Sequence, residues 1–189
     1  MIMSYNELRS QVQNIMMTPV PDEHVNAASI DVTLGPIFWV ESLTPEQGLG
    51  VLLRECRGMS MAKLTLTPGQ VLWLMPGQFV LAATAETFNL PLDVSAEFRL
   101  KSSAARIGLS HALAVWADPG WHGSVLTLEL HNITQHHSIG LQMGDRVGQM
   151  IFHKHAPVPL SASYAKRGAY NNDRAAQPAK PRVNTDINN

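Results

Sequence analysis

One cysteine, few aromatic residues and few charges mark this chain, and each shortage narrows what it can be. The lone Cys56 excludes an internal disulfide and any cysteine-rich zinc site, so a reducing, cytoplasmic compartment is the expected setting. Charged residues fill 15% of the 189 positions and sum to a net charge of -1. That balance leaves no global field to draw in nucleic acid or an anionic membrane, though it permits a local basic pocket for a small anion. No apolar run is long enough to span a bilayer, and the opening "MIMSYNELRSQVQNIMM" lacks the continuous apolar stretch of a secretory signal. Neither an HExxH helix nor the Pro-Cys-x-x-Cys signature of zinc deaminases occurs, so any deamination here has to work without zinc. With 45% hydrophobic residues and so little charge, the surface is expected to be apolar and to be covered by further copies of the chain.

What is present is a succession of short apolar or alternating runs cut by Pro and Gly: "SIDVTLG", "IFWVESL", "KLTLT", "QVLWLM", "QFVLAATAE", "VSAEFRL", "SVLTLELHN" and "RVGQMIFH". Period-two runs between turn residues predict strands. The segment "SYNELRSQVQNIM" instead places Leu8, Val12, Ile15 and Met16 on one face and predicts a helix capped by Ser4. The expected fold is mostly β, a barrel or double-sheet jelly roll, with that helix and one short internal helix near 101–107. Residues 1–160 read as the folded domain. Residues 161–189, polar and rich in Gly, Pro and Asn, read as a flexible tail able to fold over a ligand.

Three places carry candidate chemistry. In "LKSSAARIG", Ser102 or Ser103 can cap a short helix. The same Lys101, Ser102, Ser103 and Arg106 can also seat an anion, because helix N-terminal amides and charge-assisted bonds favour one. In "WADPGWHG", Asp118 starts a strong turn; it is either a turn-former alone or a carboxylate held rigidly beside a ligand. In "SVLTLELHN", Glu129 shares a strand face with Val125, Thr127 and His131, either facing solvent or acting as a general base whose apolar neighbours raise its pKa. The histidines of "HNITQHH" and "HKH" do not assemble a recognisable metal site; His153 and His155 share a strand face, and two ligands are too few.

The ordered set "VNAASIDVTLG", "LPLDVSAEFRLKSSAARIGL", "HALAVWADPGWHGSVLTLELHN" and "GDRVGQM" resembles the dCTP deaminase branch of the dUTPase-like superfamily, across most of residues 20–152. The resemblance implies a distorted β-barrel or jelly-roll subunit and a homotrimer with sites between chains. It implies zinc-free deamination of dCTP to dUTP and ammonia, with Mg²⁺ bound through the nucleotide phosphates. On that reading Glu129 is the general base, and Ser102 and Arg106 order the water. Lys101 and Ser103 bind the nucleotide, Asp118 contacts the deoxyribose 3′-hydroxyl, and Ala114 and Gln149 line the base pocket. In the dUTPases the aspartate matching Asp118 positions the water for phosphate hydrolysis. Tyr164 and Tyr170 belong to the closing tail.

Against the common family spacing, this chain has one residue fewer between Arg106 and Asp118 and one more between Trp121 and Glu129. A strand that gains a residue turns its side chains over unless a bulge absorbs it, so Glu129 faces the pocket only if β-structure there is bulged. In the tail, Ala169 and Asp173 stand where the family has a lysine and a glutamine on the triphosphate. Asp173 then needs Mg²⁺, Lys166 or Arg167 to offset its charge. Two other readings accompany the deaminase: a bifunctional enzyme releasing dUMP, and a catalytically inert member that binds nucleotide.

Overall fold

A computed structural model describes residues 1–13, 15–42, 53, 59–114 and 116–180; Cys56 and the tail beyond residue 180 lie outside them. The chain enters through helix α1, Tyr5–Glu7, which widens into a π-turn over Leu8–Val12. The Ser4 backbone N–H donates to the Glu7 carboxylate at 2.9 Å and fixes the start. Leu8 and Val12 are fully buried and Met16 nearly so, but Ile15 is exposed. The regular helix stops at Val12, so the 3.6-residue period no longer governs where Ile15 points.

Eleven strands follow among the described residues: β1 Ile30–Thr33, β2 Ile37–Glu41, β3 Met61–Thr65, β4 Leu72–Leu74, β5 Phe79–Asn89, β6 Val94–Leu100, β7 Leu109–His111, β8 Trp116–Ala117, β9 His122–Asn132, β10 Ile139–Leu141 and β11 Arg146–Lys154. They pair antiparallel in the orders β1-β11-β6-β8, β10-β4 and β3-β2-β5-β9-β7. The mostly-β expectation holds, whereas no closed barrel forms among the described residues; the strands lie in three separate sheets. The turn at Pro76-Gly77 does not close a hairpin: β4 goes to the small sheet and β5 to the large one, with the Gly77 N–H anchored on the Asn132 carbonyl at 2.8 Å.

Between the sheets lie Phe38, Phe88, Phe98, Leu128, Leu130, Met150 and Phe152, each with essentially no exposed surface. Apolar burial on this scale holds the sheets face to face. The strand alternation in "SVLTLELHN" is realised as read: Leu128 and Leu130 enter this core, and Thr127 and Glu129 turn to the opposite face.

Two irregularities set that orientation. Ala83 opposes Thr127 and Thr87 opposes Val125, so β5 carries extra residues opposite Leu126, bridged by the Thr84 hydroxyl. Farther along, Phe88 opposes Ser124 but Asn89 opposes His122. Gly123 is therefore the surplus residue of a bulge in β9, at φ +65°. The bulge lies within the span from Trp121 to Glu129.

Candidate active site

Glu129 sits mid-way along β9, opposite Leu81, in a cavity of about 560 Å³. Phe79, Leu81, Val125, Thr127 and Trp116 make its walls mostly apolar. Burial pushes the Glu129 carboxyl up to about 7, since the charged form loses hydration. The nearest polar group is His111 on β7, whose Nε2 is 3.3 Å from Glu129 Oε2, out of line for a full hydrogen bond. Burial pushes His111 down to about 4, so the ring is neutral near pH 7. Its Nδ1 accepts the Leu113 N–H at 3.2 Å, which leaves the ring proton on Nε2, facing the carboxyl. The neutral ring faces the carboxyl without a formed hydrogen bond, so the contact is not an ion pair. Leu113 holds φ +64° to make that bond, and Ala114 next to it lines the cavity.

Asp118 adjoins the cavity rim on the Asp-Pro-Gly turn, where Gly120 takes φ +84°. The Trp116 indole N–H donates to Asp118 Oδ1 at 2.9 Å.

Residues 163–180 form the far wall and are not loose. Short helix α2, Ser102–Arg106, lies elsewhere; α3, Tyr164–Arg167, begins the tail, and Tyr164 and Tyr170 both line the cavity. The tail then runs along β9: Asn172 N–H donates to the His122 carbonyl at 3.0 Å and Val125 N–H to the Asp173 carbonyl at 2.9 Å. Trp39 and Trp121 donate their indole N–H groups to the carbonyls of Ala176 and Tyr170. Asp173 is offset neither by Lys166 nor by Arg167 but by Lys180, whose Nζ is 2.8 Å away and stands over the Tyr170 ring.

The remaining candidates lie outside this cavity. The residue capping α2 is Lys101, with Ser102 already helical, so neither serine caps it as expected. The Lys101 ammonium instead pairs with buried Asp31 on β1, which also accepts from Asn26 Nδ2 at 2.9 Å. Gln149, opposite Asp31 on β11, accepts the Ser29 hydroxyl at 2.9 Å. Ser102 and Ser103 are exposed. Arg106 is exposed too, lining a second hollow with Ile107, Ile133 and His137, and makes no side-chain ion pair among the described residues. One chain thus gathers Glu129, Ala114, Tyr164 and Tyr170 around the cavity, holds Asp118 beside it through Trp116, and turns Lys101, Ser102, Ser103, Arg106 and Gln149 to other surfaces. His111, Trp116 and Lys180 are additions that sequence reasoning did not assign to the site.

The family described as dCTP deaminase-like (DCD) matches residues 2–155, four-fifths of the chain. The chain belongs to that family. A relative from Rhodococcus erythropolis, named "dCTP deaminase, dUMP-forming", is 32% identical over 190 residues, covering 97% of this chain and 98% of the relative. One from Dictyoglomus thermophilum with the same name is 31% identical over 199 residues, covering 99% and 97%. The solved 2′-deoxycytidine 5′-triphosphate deaminase of Agrobacterium tumefaciens aligns at TM-score 0.61 and 22% identity, over 80% of this chain and 47% of that one. That chain is about twice the length spanned here, and the likeness supports the shared fold. Membership agrees with the four ordered motifs, and in this chain Glu129 faces the pocket with the Gly123 bulge preceding it on β9. Among the described residues no helix is long and apolar enough to cross a membrane.

Proposed function

We propose that this protein is a hydrolase that deaminates dCTP and releases dUMP. The observation that carries the deaminase is Glu129, a carboxyl on a rigid strand in an apolar cavity, with its pKa brought to about 7. A base is most useful when its pKa lies near the working pH, because enough of it is ionised and it still holds a proton firmly once taken. Glu129 takes a proton from water, and the hydroxide adds to C4 of cytosine. The same carboxyl returns the proton to N3, then carries the C4 hydroxyl proton to the amino group, so that ammonia leaves as the C4 oxygen becomes the uracil carbonyl. His111 Nε2–H faces that carboxyl. Ala114 bounds the base, and Asp118, with Oδ2 free of donors among the described residues, accepts a sugar hydroxyl.

The first sequence reading placed dUTP as the product; the names of the relatives favour dUMP, which adds water at the α-phosphorus and expels pyrophosphate. No cluster of three or more acidic, histidine or cysteine side chains occurs among the described residues. Mg²⁺ would enter with the nucleotide phosphates and neutralise their charge. Arg106, Ser102 and Ser103 reach a Glu129 cavity from a neighbouring copy, in a homotrimer with sites between chains; their exposure and lack of partners support this. Lys101 and Gln149 sit on the neighbouring copy's edge, and the tail with Tyr164 and Tyr170 closes the site.

The test is ammonia release from dCTP with Mg²⁺, with the nucleotides separated by chromatography. Ammonia with dUMP and pyrophosphate is the expected result. dUTP alone reduces the protein to a deaminase, and nucleotide binding without product makes it an inert member of the family.

A further inference from the structure

Trp116 is a large aromatic residue, 54% exposed, at the rim of the Glu129 cavity. An indole left in water needs a reason to hold one orientation, and here there are two. Strand β8 is only two residues long, yet it pairs Trp116 with Glu97 and Ala117 with Ala96 on β6, which fixes the backbone. The ring itself lies against the His153 imidazole, centroids 5.5 Å apart, and His153 Nε2 is 3.4 Å from Glu97 Oε2. A chain of side chains, Glu97 to His153 to Trp116, thus braces the indole from the four-stranded sheet.

The far end of that indole does one chemical thing: its N–H donates to Asp118 Oδ1 at 2.9 Å. The Asp118 backbone is clamped, since its carbonyl accepts from Trp121 N–H at 3.2 Å and the Pro119 carbonyl from Tyr164 N–H at 2.9 Å. The carboxylate is exposed, and an unrestrained aspartate would turn about χ1 and χ2. Trp116 occupies one oxygen and leaves Oδ2 as a directed acceptor. An indole N–H can only donate, so Asp118 Oδ1 is the acceptor in this contact.

We infer that Trp116 is a positioning residue for Asp118, and that through it the braced indole sets the enzyme's preference for a nucleotide bearing a 3′-hydroxyl. The inference rests on the proposed dCTP deaminase activity. It concerns the sugar end of the site and leaves the Glu129 chemistry as described.

The experiment compares kcat/KM for ammonia release from dCTP and from its 2′,3′-dideoxy analogue, which lacks the hydroxyl Asp118 would accept. The enzymes are wild type, Trp116→Phe, Asp118→Asn and the double variant. Phe keeps the ring and its contact with His153 but has no N–H. A directed acceptor left unpaired gives the wild type a roughly tenfold preference for dCTP. Trp116→Phe is expected to lose most of that preference, with kcat/KM falling further for dCTP than for the dideoxy analogue. Adding Asp118→Asn to it should lower the ratio little further, the non-additivity of two residues acting as one. A merely structural role for Trp116 would depress both substrates alike and leave the ratio intact. If wild type prefers dCTP and Trp116→Phe keeps the preference, this inference is overturned and the proposed function stands. A wild type indifferent to the 3′-hydroxyl overturns it as well. A wild type inert toward both nucleotides overturns the proposed function and this inference with it.

Discussion

Replacing Glu129 by Gln separates what the carboxyl does for the reaction from what it does to the fold. In the folded chain the carboxyl ionises near 7, against an ordinary 4.5, because its charge is buried. As a base it works only when ionised, so kcat/KM for ammonia release should rise roughly tenfold between about pH 6 and about pH 8, from a tenth ionised to nine-tenths. His111 stays neutral across that range and does not produce the rise. The fold responds with the opposite sign. Between 4.5 and about 7 the native state holds this proton and the unfolded state does not, so stability falls as pH rises through that window. At 1.36 kcal/mol per pH unit the gap corresponds to about 3 kcal/mol. Glutamine has no charge to bury, so Glu129→Gln should be inactive and, at about pH 8, more stable than wild type by up to about 3 kcal/mol, with the difference vanishing near pH 4. The assays are a pH profile of kcat/KM on dCTP and urea unfolding of both proteins at the two pH extremes. A flat profile between pH 6 and pH 8, or a glutamine variant no more stable than wild type at the upper pH, would refute the reasoning.

Three further outcomes are expected. Because Arg106 and Glu129 lie apart in one chain, Arg106→Met and Glu129→Gln should each be inactive alone yet recover part of the wild-type rate when refolded together; a mixture that stays dead speaks against sites shared between copies. Gly123→Ala places a Cβ 2.3 Å from Asn172 Oδ1 at φ +65°, and should cost about 1–3 kcal/mol in thermal or urea unfolding along with most activity. Lys180→Met leaves Asp173 without its cation; as Lys180 is 37% exposed, the loss is only about 0.5–1 kcal/mol, too small for the global transition but enough to speed tryptic cleavage at Arg174 roughly two- to fivefold. Unchanged cleavage would show that the clasp does not hold the tail.

The long strands β5, β6, β9 and β11 were legible because a sheet with one buried face repeats every two residues, and seven to eleven residues display that period clearly. Strands β7, β8 and β10, of two or three residues, carry no period to read; they exist because the chain passes beside a partner already in place. Glu129 stood out as one acid in an apolar alternation. Its neighbour His111 did not, since the pairing depends on the register of β7 against β9, where His111 meets Leu130, and sequence spacing does not contain that register. The tail pairing of Asp173 with Lys180 was hidden for the same reason: Lys166 and Lys180 are equally distant from Asp173 in sequence, and only the path of the tail selects Lys180. Lys101 was read as a ligand for phosphate, and buried Asp31, seventy residues earlier, claims its charge.

The Gly123 bulge has a consequence for how this protein exchanges parts with its relatives. On the spacings the resemblance implies, one residue fewer before Asp118 and one more after Trp121 cancel, so the distance along the chain from Arg106 to Glu129 is kept while the turn between them slides by one position. On that reading the two changes are halves of a single adjustment, and the Gly123 bulge lies in the lengthened half. A chimera that borrows only the segment before the turn, or only the one after it, inherits an uncompensated length. One that borrows the whole span between Arg106 and Glu129 inherits a consistent one, and that span is the smallest unit this part of the molecule can trade.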